Sequence, residues 1–230
     1  MPTPDTDEDI EFRSPHWPRV VIFGAATFAV LLIGATIGML LAPTTTEQPQ
    51  TTPGAGSVEV GFAQDMSVHH LQAVTMANWA REHSTDPAIA QLGFDIGSTQ
   101  TEQVGRMKGW LMLWQQSEQP LGEYMTWMTQ AGGHHAMSSS GGSAAMPGMA
   151  TTAELSRLRS LSGKELDVYF LQLMLRHHQG GTDMAQYAYD HASVGAVRTL
   201  AKSILDSQGP EMVQMRQLLR ERGAEPLPYP

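Results

Sequence analysis

Cysteine is missing from the 230-residue sequence. Its absence excludes disulfide bonds, thiolate zinc sites, a cysteine nucleophile and a lipid anchor attached to cysteine. Positive charge is also scarce, because 14 Lys and Arg residues stand against 23 Asp and Glu residues and give a net charge of −9. Nucleic-acid binding needs a clustered positive surface, so this composition speaks against nucleic acid as a partner and favours cations.

Three catalytic motifs are absent as well. The sequence has no Glu-x-x-His, which di-iron carboxylate bundles need, and this disfavours ferroxidase chemistry of that type. It also has no Gly-x-Ser-x-Gly nucleophile elbow and no His-Glu-x-x-His zinc motif. We therefore predict no catalytic residues, and binding without turnover is favoured over an enzyme.

One long apolar run lies near the N-terminus. Residues 20–42 contain no charged side chain, and at ~1.5 Å per residue a helix of this length crosses a ~30 Å hydrocarbon layer. The run is too long for the apolar region of a cleavable signal peptide, which indicates an uncleaved single-pass anchor in the cell membrane. Arg13 and Arg19 precede it, and no Lys or Arg follows before Arg81. The positive-inside rule then places the polar, disordered tail, residues 1–19, in the cytoplasm and the C-terminal domain outside.

Helical patterning begins after a flexible linker, residues 43–57. Ser57 is a predicted N-cap for a helix that runs to about His83, and residues 84–87 supply a break, a new N-cap and a proline for a second helix. The second helix is predicted to end at about Gln119. So short a connection makes the pair an antiparallel hairpin.

A pattern with tandem histidines occurs twice in the chain. A shift of 108 residues superposes the first copy on the second without a gap. Two copies of one hairpin, residues 58–119 and 163–223, predict a four-helix bundle domain over residues 58–230 with approximate internal twofold symmetry. The superposed pairs are Phe62 and Phe170, Met66 and Met174, His69 and His177, His70 and His178, Met76 and Met184, His83 and His191, Gln100 and Gln208, and Met107 and Met215.

The loop between the repeats, residues 120–162, is rich in small residues, methionine and histidine. Thr151 and Glu154 predict a capping box that opens a short helix, and Ser162 with Glu165 predicts another that opens the third long helix. We expect residues 121–151 of this loop to be mobile and to offer a weaker, flexible set of metal ligands. That set is His134, His135, Met137, Met146 and Met149.

The repeated histidines and methionines are candidate metal ligands. Residues four and seven apart lie close to one stripe of a helix, so packing of the first helix on the third would bring the two sets together. Core packing needs apolar volume rather than imidazole, and duplication of both residue types favours a metal site. The predicted ligands are Met66, His69, His70, Met76 and His83 from the first copy and Met174, His177, His178, Met184 and His191 from the second.

The residue types point to copper. Neutral imidazole binds copper, zinc, iron and nickel, whereas a thioether is soft and selects Cu(I). Thiols tend to oxidise outside the cytoplasm, so a site of histidine and methionine without cysteine suits an extracytoplasmic protein. Cu(I) is favoured, Cu(II) is the second choice, and other transition metals are left open.

Structural explanations exist for the same residues. The methionines are explained by core packing, and each tandem pair by one buried and one exposed ring. His83 and His191 lie at predicted helix ends, where the helix dipole favours them without metal. The pair Gly180-Gly181 replaces Gln72-Ala73 of the first copy and indicates either a close helix approach, ligand access or a tolerated defect. Two interpretations are also open for the polar residues on the partner helices. They either donate or accept hydrogen bonds to the histidines or lie on the solvated surface, and they are Gln100, Gln103, Gln208 and Glu211.

The doubled motif F-x3-M-x2-HH-x5-MA, followed by Gln-x6-Met, resembles the family called domain of unknown function 305. The run Met146-Pro-Gly-Met149 is also similar to that family. The resemblance covers residues 58–222 and implies a ferritin-like four-helix bundle, exported or membrane-anchored in bacteria, with copper binding in some members. Gly181 stands where the family tends to have alanine, and Gln103 stands opposite Glu211, so equal metal affinity of the two halves stays open.

Together these observations predict a membrane-anchored, extracytoplasmic protein that sequesters or transfers copper. A homo-oligomer or a copper-handling partner protein fits this role. The first alternative is a structural or protein-interaction module of the cell envelope, in which any metal is incidental. The second alternative is a metal-dependent oxidoreductase.

Overall fold

The computed structural model describes residues 17–41, 52–129 and 146–229. Within these ranges the regular structure is helical and no strand occurs, which confirms the predicted all-α class. Contacts divide the chain into two compact units, Met1–Gln50 and Thr51–Pro230. The helices, numbered α1 to α6, are Trp17–Leu41, Val58–His83, Pro87–Leu113, Thr152–Ser160, Gly163–His191 and Gly195–Glu221.

The first unit contains α1. Among the described helices, α1 alone is long and apolar enough to cross a membrane, over Val21–Leu40. It begins at Trp17, three residues before the predicted start at residue 20, because Pro18 suits the first turn of a helix. Residues 1–16 of the predicted tail and residues 42–51, which include most of the predicted linker, lie outside the described ranges.

The second unit opens with a hairpin of α2 and α3. The Ser57 side chain accepts from Val60 N at 3.3 Å and starts α2, and the Asp86 side chain accepts from Ala88 N at 2.9 Å and starts α3, as predicted. The predicted end of α3 at about Gln119 is wrong, because the helix ends at Leu113. Gln115 adopts a left-handed φ of 56° there. Gln116 N donates to the Leu111 carbonyl at 2.9 Å and closes the helix in a Schellman motif.

The second hairpin consists of α5 and α6, with the short α4 before it. The predicted capping box of α4 is present, since Glu154 N donates to Thr151 Oγ1 at 3.2 Å and Thr151 N donates to Glu154 Oε2 at 2.8 Å. The predicted capping box at Ser162 is wrong, because the Ser162 side chain makes no cap hydrogen bond. Gly223, with a φ of 64°, ends α6 as expected.

The two hairpins meet through α2 and α5. Near the start of α2, the Glu59 carboxylate accepts from Ser193 Oγ at 2.8 Å, just after the end of α5. At the other end, Ser84 Oγ donates to Asp167 Oδ1 at 2.6 Å, near the start of α5. The two helices therefore run antiparallel, and each tandem histidine pair lies near the middle of its helix.

The described ends of the loop between the hairpins lie against α2. Trp127 is only 3% exposed, and its ring occupies the space beside Gly61, where a Cβ atom would come within 2.3 Å of it. Asp65 Oδ2 accepts hydrogen bonds from Met125 N at 2.7 Å and from Trp127 Nε1 at 2.8 Å. The packing of residues 124–128, and the burial of Met146 and Ala150, contradict the mobile loop that composition predicts over residues 121–151. Residues 130–145 lie outside the described ranges.

Candidate metal centre

A polar layer divides the core of the domain. Two apolar clusters fill the interior, and the four long helices α2, α3, α5 and α6 each contribute to both clusters. Along each of these helices, polar side chains separate the residues of one cluster from those of the other. We call this group the histidine layer, and its members are His69, His70, Gln100, Gln103, His177, His178, Gln208 and Glu211.

The four imidazole rings of the layer are completely buried, each with 0% exposure. The rings of His69 and His177 meet across the α2–α5 contact with centroids 3.7 Å apart. Within the tandem pairs the centroids are 6.3 Å apart for His69 and His70 and 6.5 Å apart for His177 and His178. The structure therefore brings the two predicted histidine pairs together, and neither pair has an exposed ring.

Each ring uses Nε2 to donate a hydrogen bond. His70 Nε2 donates to Gln103 Oε1 at 2.8 Å, and His178 Nε2 donates to Glu211 Oε2 at 2.7 Å, so the predicted partner helices do supply these contacts. His177 Nε2 donates to the His69 carbonyl at 3.1 Å, and His69 Nε2 donates to the Pro147 carbonyl at 3.2 Å. Carbonyl and carboxylate oxygens only accept, which fixes the proton on Nε2.

A proton on Nε2 leaves a lone pair on Nδ1 of the neutral ring. Among the described residues, none of the four Nδ1 atoms has a hydrogen-bond partner, although all four are buried. Both amide atoms of Gln100 and of Gln208 lack partners in the same way. A buried polar group left unsatisfied costs about 1–3 kcal/mol. The layer thus contains buried polar atoms, among them four Nδ1 atoms with free lone pairs, and no described hydrogen bond offsets the cost of burying them.

Burial also keeps the rings of His69, His70 and His177 neutral. Desolvation lowers the pKa of His69 to about 4 and that of His70 to about 3. For His177, burial and then the neighbouring His69 and His178 hold the pKa well below its usual value. A metal competes with protons for an imidazole nitrogen, so rings of low pKa are free to act as ligands at neutral pH.

The methionines border the layer on both sides. All six repeated methionines are 0% exposed. Helix geometry places Met66 one turn before His70 and Met174 one turn before His178. Met66, Met107 and Met184 belong to one apolar cluster, and their equivalents Met174, Met215 and Met76 belong to the other. Their burial agrees both with core packing and with thioether ligation of a metal.

The layer is closed in the described structure. Within the described ranges no three His, Asp or Glu side chains are arranged around a common point as a metal site. The rings of His69 and His177 are in direct contact, with centroids 3.7 Å apart and planes inclined by 35°. The chemistry of the donor atoms fits a metal ion, and entry of an ion requires these rings to move.

A short segment covers the layer beside His69. We call residues 146–150 the strap. Its Pro147 carbonyl is the acceptor for His69, and Met146 and Ala150 are buried. The Gln72 side chain holds the strap with two hydrogen bonds, from Nε2 to the Ala150 carbonyl at 2.9 Å and from Ala150 N to Oε1 at 2.7 Å.

The strap explains Gly180, and the histidine layer explains Gly181. A Cβ atom at Gly180 would lie 2.1 Å from the Pro147 carbonyl oxygen, and one at Gly181 would lie 3.1 Å from Gln208 Oε1 and 3.2 Å from the His69 ring. Gln72 and Gly180 occupy equivalent positions in the two copies. On one side of the strap the Gln72 amide of α2 binds its backbone, and on the other side Gly180 of α5 leaves room for that backbone. The close-approach interpretation of these glycines is therefore the one that the contacts support.

His83 and His191 stand apart from the layer. Both rings are exposed at the ends of α2 and α5. His83 stacks on Trp79 with centroids 3.6 Å apart, and His191 stacks on Tyr187 at 4.1 Å. Their Nδ1 atoms donate to the carbonyls of Trp79 and Tyr187, which is the opposite tautomer from that of the layer. The structure does not place these two predicted ligands with the other four histidines.

The predicted loop ligands fall into two groups. Met146 is buried and Met149 is partly buried, and both are packed in the apolar core beside α5. His134, His135 and Met137 lie outside the described residues. The contacts of Gln72 and of the Pro147 carbonyl were not predicted; the pairing of Gln72 with Gly180 in the repeat was the available signal.

Comparison with known proteins gives a consistent result. The sequence model of the family described as "Domain of unknown function (DUF305)" matches residues 59–219. None of the curated proteins matches the chain. A DUF305 protein from Streptomyces coelicolor, described as secreted, is similar in structure with 41% identity and a TM-score of 0.68, and the match covers 76% of this chain and 100% of that one.

Two further solved structures are similar. A DUF305 fragment from Deinococcus radiodurans shares 30% identity with a TM-score of 0.58, and the match covers 74% of this chain and 99% of the fragment. CopM in its Cu(I)-bound form shares 21% identity with a TM-score of 0.53, over 71% of this chain and 96% of that protein. At that identity the likeness to CopM concerns the fold.

Proposed function

This chain belongs to the DUF305 family, and we propose that it is a membrane-anchored, extracytoplasmic protein that sequesters or transfers copper. The domain would be a ferritin-like four-helix bundle formed by α2, α3, α5 and α6. Its ligands would come from the tandem histidines at the centre and from the methionines beside them. No catalytic turnover is needed for this role.

One observation carries the proposal. Four buried imidazoles, at His69, His70, His177 and His178, each donate through Nε2 and keep an unpartnered Nδ1 lone pair. Hydrogen bonding of the outer nitrogen to a carbonyl or carboxylate is the usual arrangement of a metal-binding histidine. CopM, which is similar in fold, has been solved with Cu(I), with Cu(II) and with silver. Silver(I) and Cu(I) are both soft ions, and that agrees with thioethers next to the layer.

The anchor would be α1. Its apolar segment, Val21–Leu40, has the length that a bilayer requires. Arg13 and Arg19 lie before this segment and no basic residue follows until Arg81, which orients the N-terminus toward the cytoplasm. The secreted description of the Streptomyces coelicolor relative supports export of the domain.

Loading of copper would begin with the strap. The Pro147 carbonyl accepts the hydrogen bond of His69 Nε2. Release of this contact frees the His69 ring to turn away from His177, and turning of the rings lets Nδ1 atoms of both helices approach one ion. Copper is the cargo in this scheme, and the chain supplies only ligands, orientation and exclusion of water.

An anaerobic Cu(I) titration against a competing chelator tests the proposal. The variant carries His70→Gln and His178→Gln, which keep polar side chains in the layer. The control carries His83→Gln and His191→Gln, which remove the same number of imidazoles from the exposed stacks. We expect the layer variant to lose tight binding and the control to keep it. Tight binding by both folded variants, checked by circular dichroism, would reject the histidine layer as the copper site, and weak binding by both together with the unmodified protein would leave a tethered helical scaffold without a copper site.

A further inference from the structure

The most exposed large apolar side chains of the described domain lie close together in sequence. Leu121 is 98% exposed, Met112 is 74% exposed and Leu113 is 71% exposed. Val213, at 63%, and Phe94, at 50%, come next in the described part of the second unit. Met112 and Leu113 occupy the last turn of α3, and Leu121 lies eight residues after the end of that helix. One end of the domain therefore presents apolar surface.

Two tryptophans adjoin these side chains. Trp110 and Trp114 stack with centroids 6.0 Å apart and are both partly exposed. Residues 109–129 contain only two charged residues, Glu118 and Glu123, and Glu118 pairs with Lys108 at 2.6 Å. Tryptophan rings and apolar side chains with little charge are typical of surfaces that enter the headgroup region of a membrane. We call Trp110, Met112, Leu113, Trp114 and Leu121 the tip patch.

The tip patch lies where the chain enters the domain. Residues Thr52, Pro53 and Gly54 line one shallow cavity together with Leu113 and Trp114. Gln64, in the second turn of α2, donates to the Ser117 carbonyl at 2.8 Å and holds the turn after α3 at the same end. The patch is therefore next to the point at which the domain is joined to the preceding segment.

Chain length limits how far this end can be from a bilayer. Eleven peptide units join Leu41, the last residue of α1, to Thr52, and no conformation extends them beyond about 40 Å. If α1 is the anchor, as the proposed function holds, the bilayer lies within reach of the tip patch.

We infer that the tip patch inserts into the outer surface of the bilayer that α1 spans. Contact would be made by burial of Met112, Leu113 and Leu121 among the headgroups, with the tryptophans at the interface. Because the patch has almost no charge, contact should need no anionic lipid and should persist at high salt. Docking of the patch would hold the domain against the membrane with one face fixed toward it.

The lack of cysteine allows a direct test in the full chain. Single substitutions Leu121→Cys, Thr85→Cys and Ala35→Cys each give one site for an environment-sensitive fluorophore. Thr85 is an exposed control at the far end of α2, and Ala35 reports insertion of α1. The labelled chains are reconstituted in phosphatidylcholine vesicles with and without brominated lipid. We expect lipid quenching at positions 35 and 121 and none at position 85, in low and in high salt.

Each other result overturns the inference in a distinguishable way. Quenching at position 35 without quenching at 121 leaves the anchor intact and rejects membrane contact of the patch. No quenching at position 35 rejects the anchor as well. A label at 121 that is shielded from aqueous iodide but not reached by brominated lipid shows that protein covers the patch, from a second copy or from residues 130–145. Leu113→Cys repeats the measurement if the Leu121 variant does not fold, and copper affinity is independent of all these outcomes.

Discussion

His70 and His178 occupy equivalent positions but donate to different acceptors. The acceptor is an amide oxygen of Gln103 for His70 and a carboxylate oxygen of Glu211 for His178. A carboxylate behind an imidazole raises the basicity of the ligand nitrogen and fixes the ring tautomer. We therefore expect the half of the layer that contains His178 to hold an ion more tightly than the half that contains His70.

Exchange of the two acceptors tests this expectation. Glu211→Gln should lower Cu(I) affinity by about tenfold, and Gln103→Glu should raise it by a similar factor, because outer hydrogen-bond partners of a ligand carry effects of this size. Titration of Cu(I) against a competing chelator measures both affinities, and circular dichroism checks that the two variants have the same helical content. Unchanged affinity in the two variants would show that these residues satisfy the imidazoles without tuning them.

At the scale of elements, the strap ties the two hairpins together over the histidine layer. Gln72 on α2 binds its backbone, and Gly180 on α5 gives it room. Gly148 takes a left-handed φ of 76° in the strap and lies against the Arg176 carbonyl, where a Cβ atom would come within 2.4 Å. The strap is thus built into the contact between α2 and α5.

Gly180→Ala should push the strap away from α5. A Cβ atom there would lie 2.1 Å from the Pro147 oxygen, and overpacking of this kind costs about 1–3 kcal/mol. Urea denaturation should show a free energy of unfolding lowered by that amount. Gly105→Ala is the matched control, because a Cβ atom at Gly105 in α3 meets nothing within 4 Å, and alanine should raise stability by up to about 1 kcal/mol. Equal effects of the two substitutions would contradict the packing of the strap.

Local signals predicted the caps of three helices, whereas the predicted cap at Ser162 makes no such hydrogen bond. Ser57, Asp86 and Thr151 cap helices as their sequence context indicates. The end of α3 was not predictable in this way, because Gln115 closes it with a conformation that usually requires glycine.

Burial of all four tandem histidines was also not predictable from the sequence. Adjacent residues on a helix point about 100° apart, so periodicity favours one buried ring in each pair. Both rings are buried here because His69 and His177 meet across α2 and α5, while His70 and His178 face α3 and α6. Only the assembled helices reveal that a complete polar layer crosses the core.

At the scale of the whole molecule, this layer makes stability depend on pH. The unfolded chain takes up protons at its histidines near the ordinary value of 6.5, whereas burial lowers the pKa of His69 to about 4 and that of His70 to about 3. The unfolded state therefore binds more protons between these values, and the folded domain loses stability as pH falls below 6.5. Above that value the contribution is constant.

Denaturation between pH 7.5 and about 5 measures this dependence, in a range above the ordinary titration of carboxylates. The free energy of unfolding of the metal-free protein should decline steadily as the pH is lowered. A variant with His83→Gln and His191→Gln should show the same decline, because those rings are exposed. A flat profile in the unmodified protein would mean that the layer rings are protonated or hydrated in the folded state.

The central claim is that the four buried histidines bind copper through Nδ1. Ring-nitrogen NMR of histidine-labelled protein, recorded before and after addition of diamagnetic Cu(I), tests it most directly. The account predicts Nε2–H tautomers at His69, His70, His177 and His178, with Nδ1 resonances that move on loading, and Nδ1–H tautomers at His83 and His191 that do not move. Copper-dependent shifts confined to His83, His191 or the Nε2 atoms of the buried rings would contradict it.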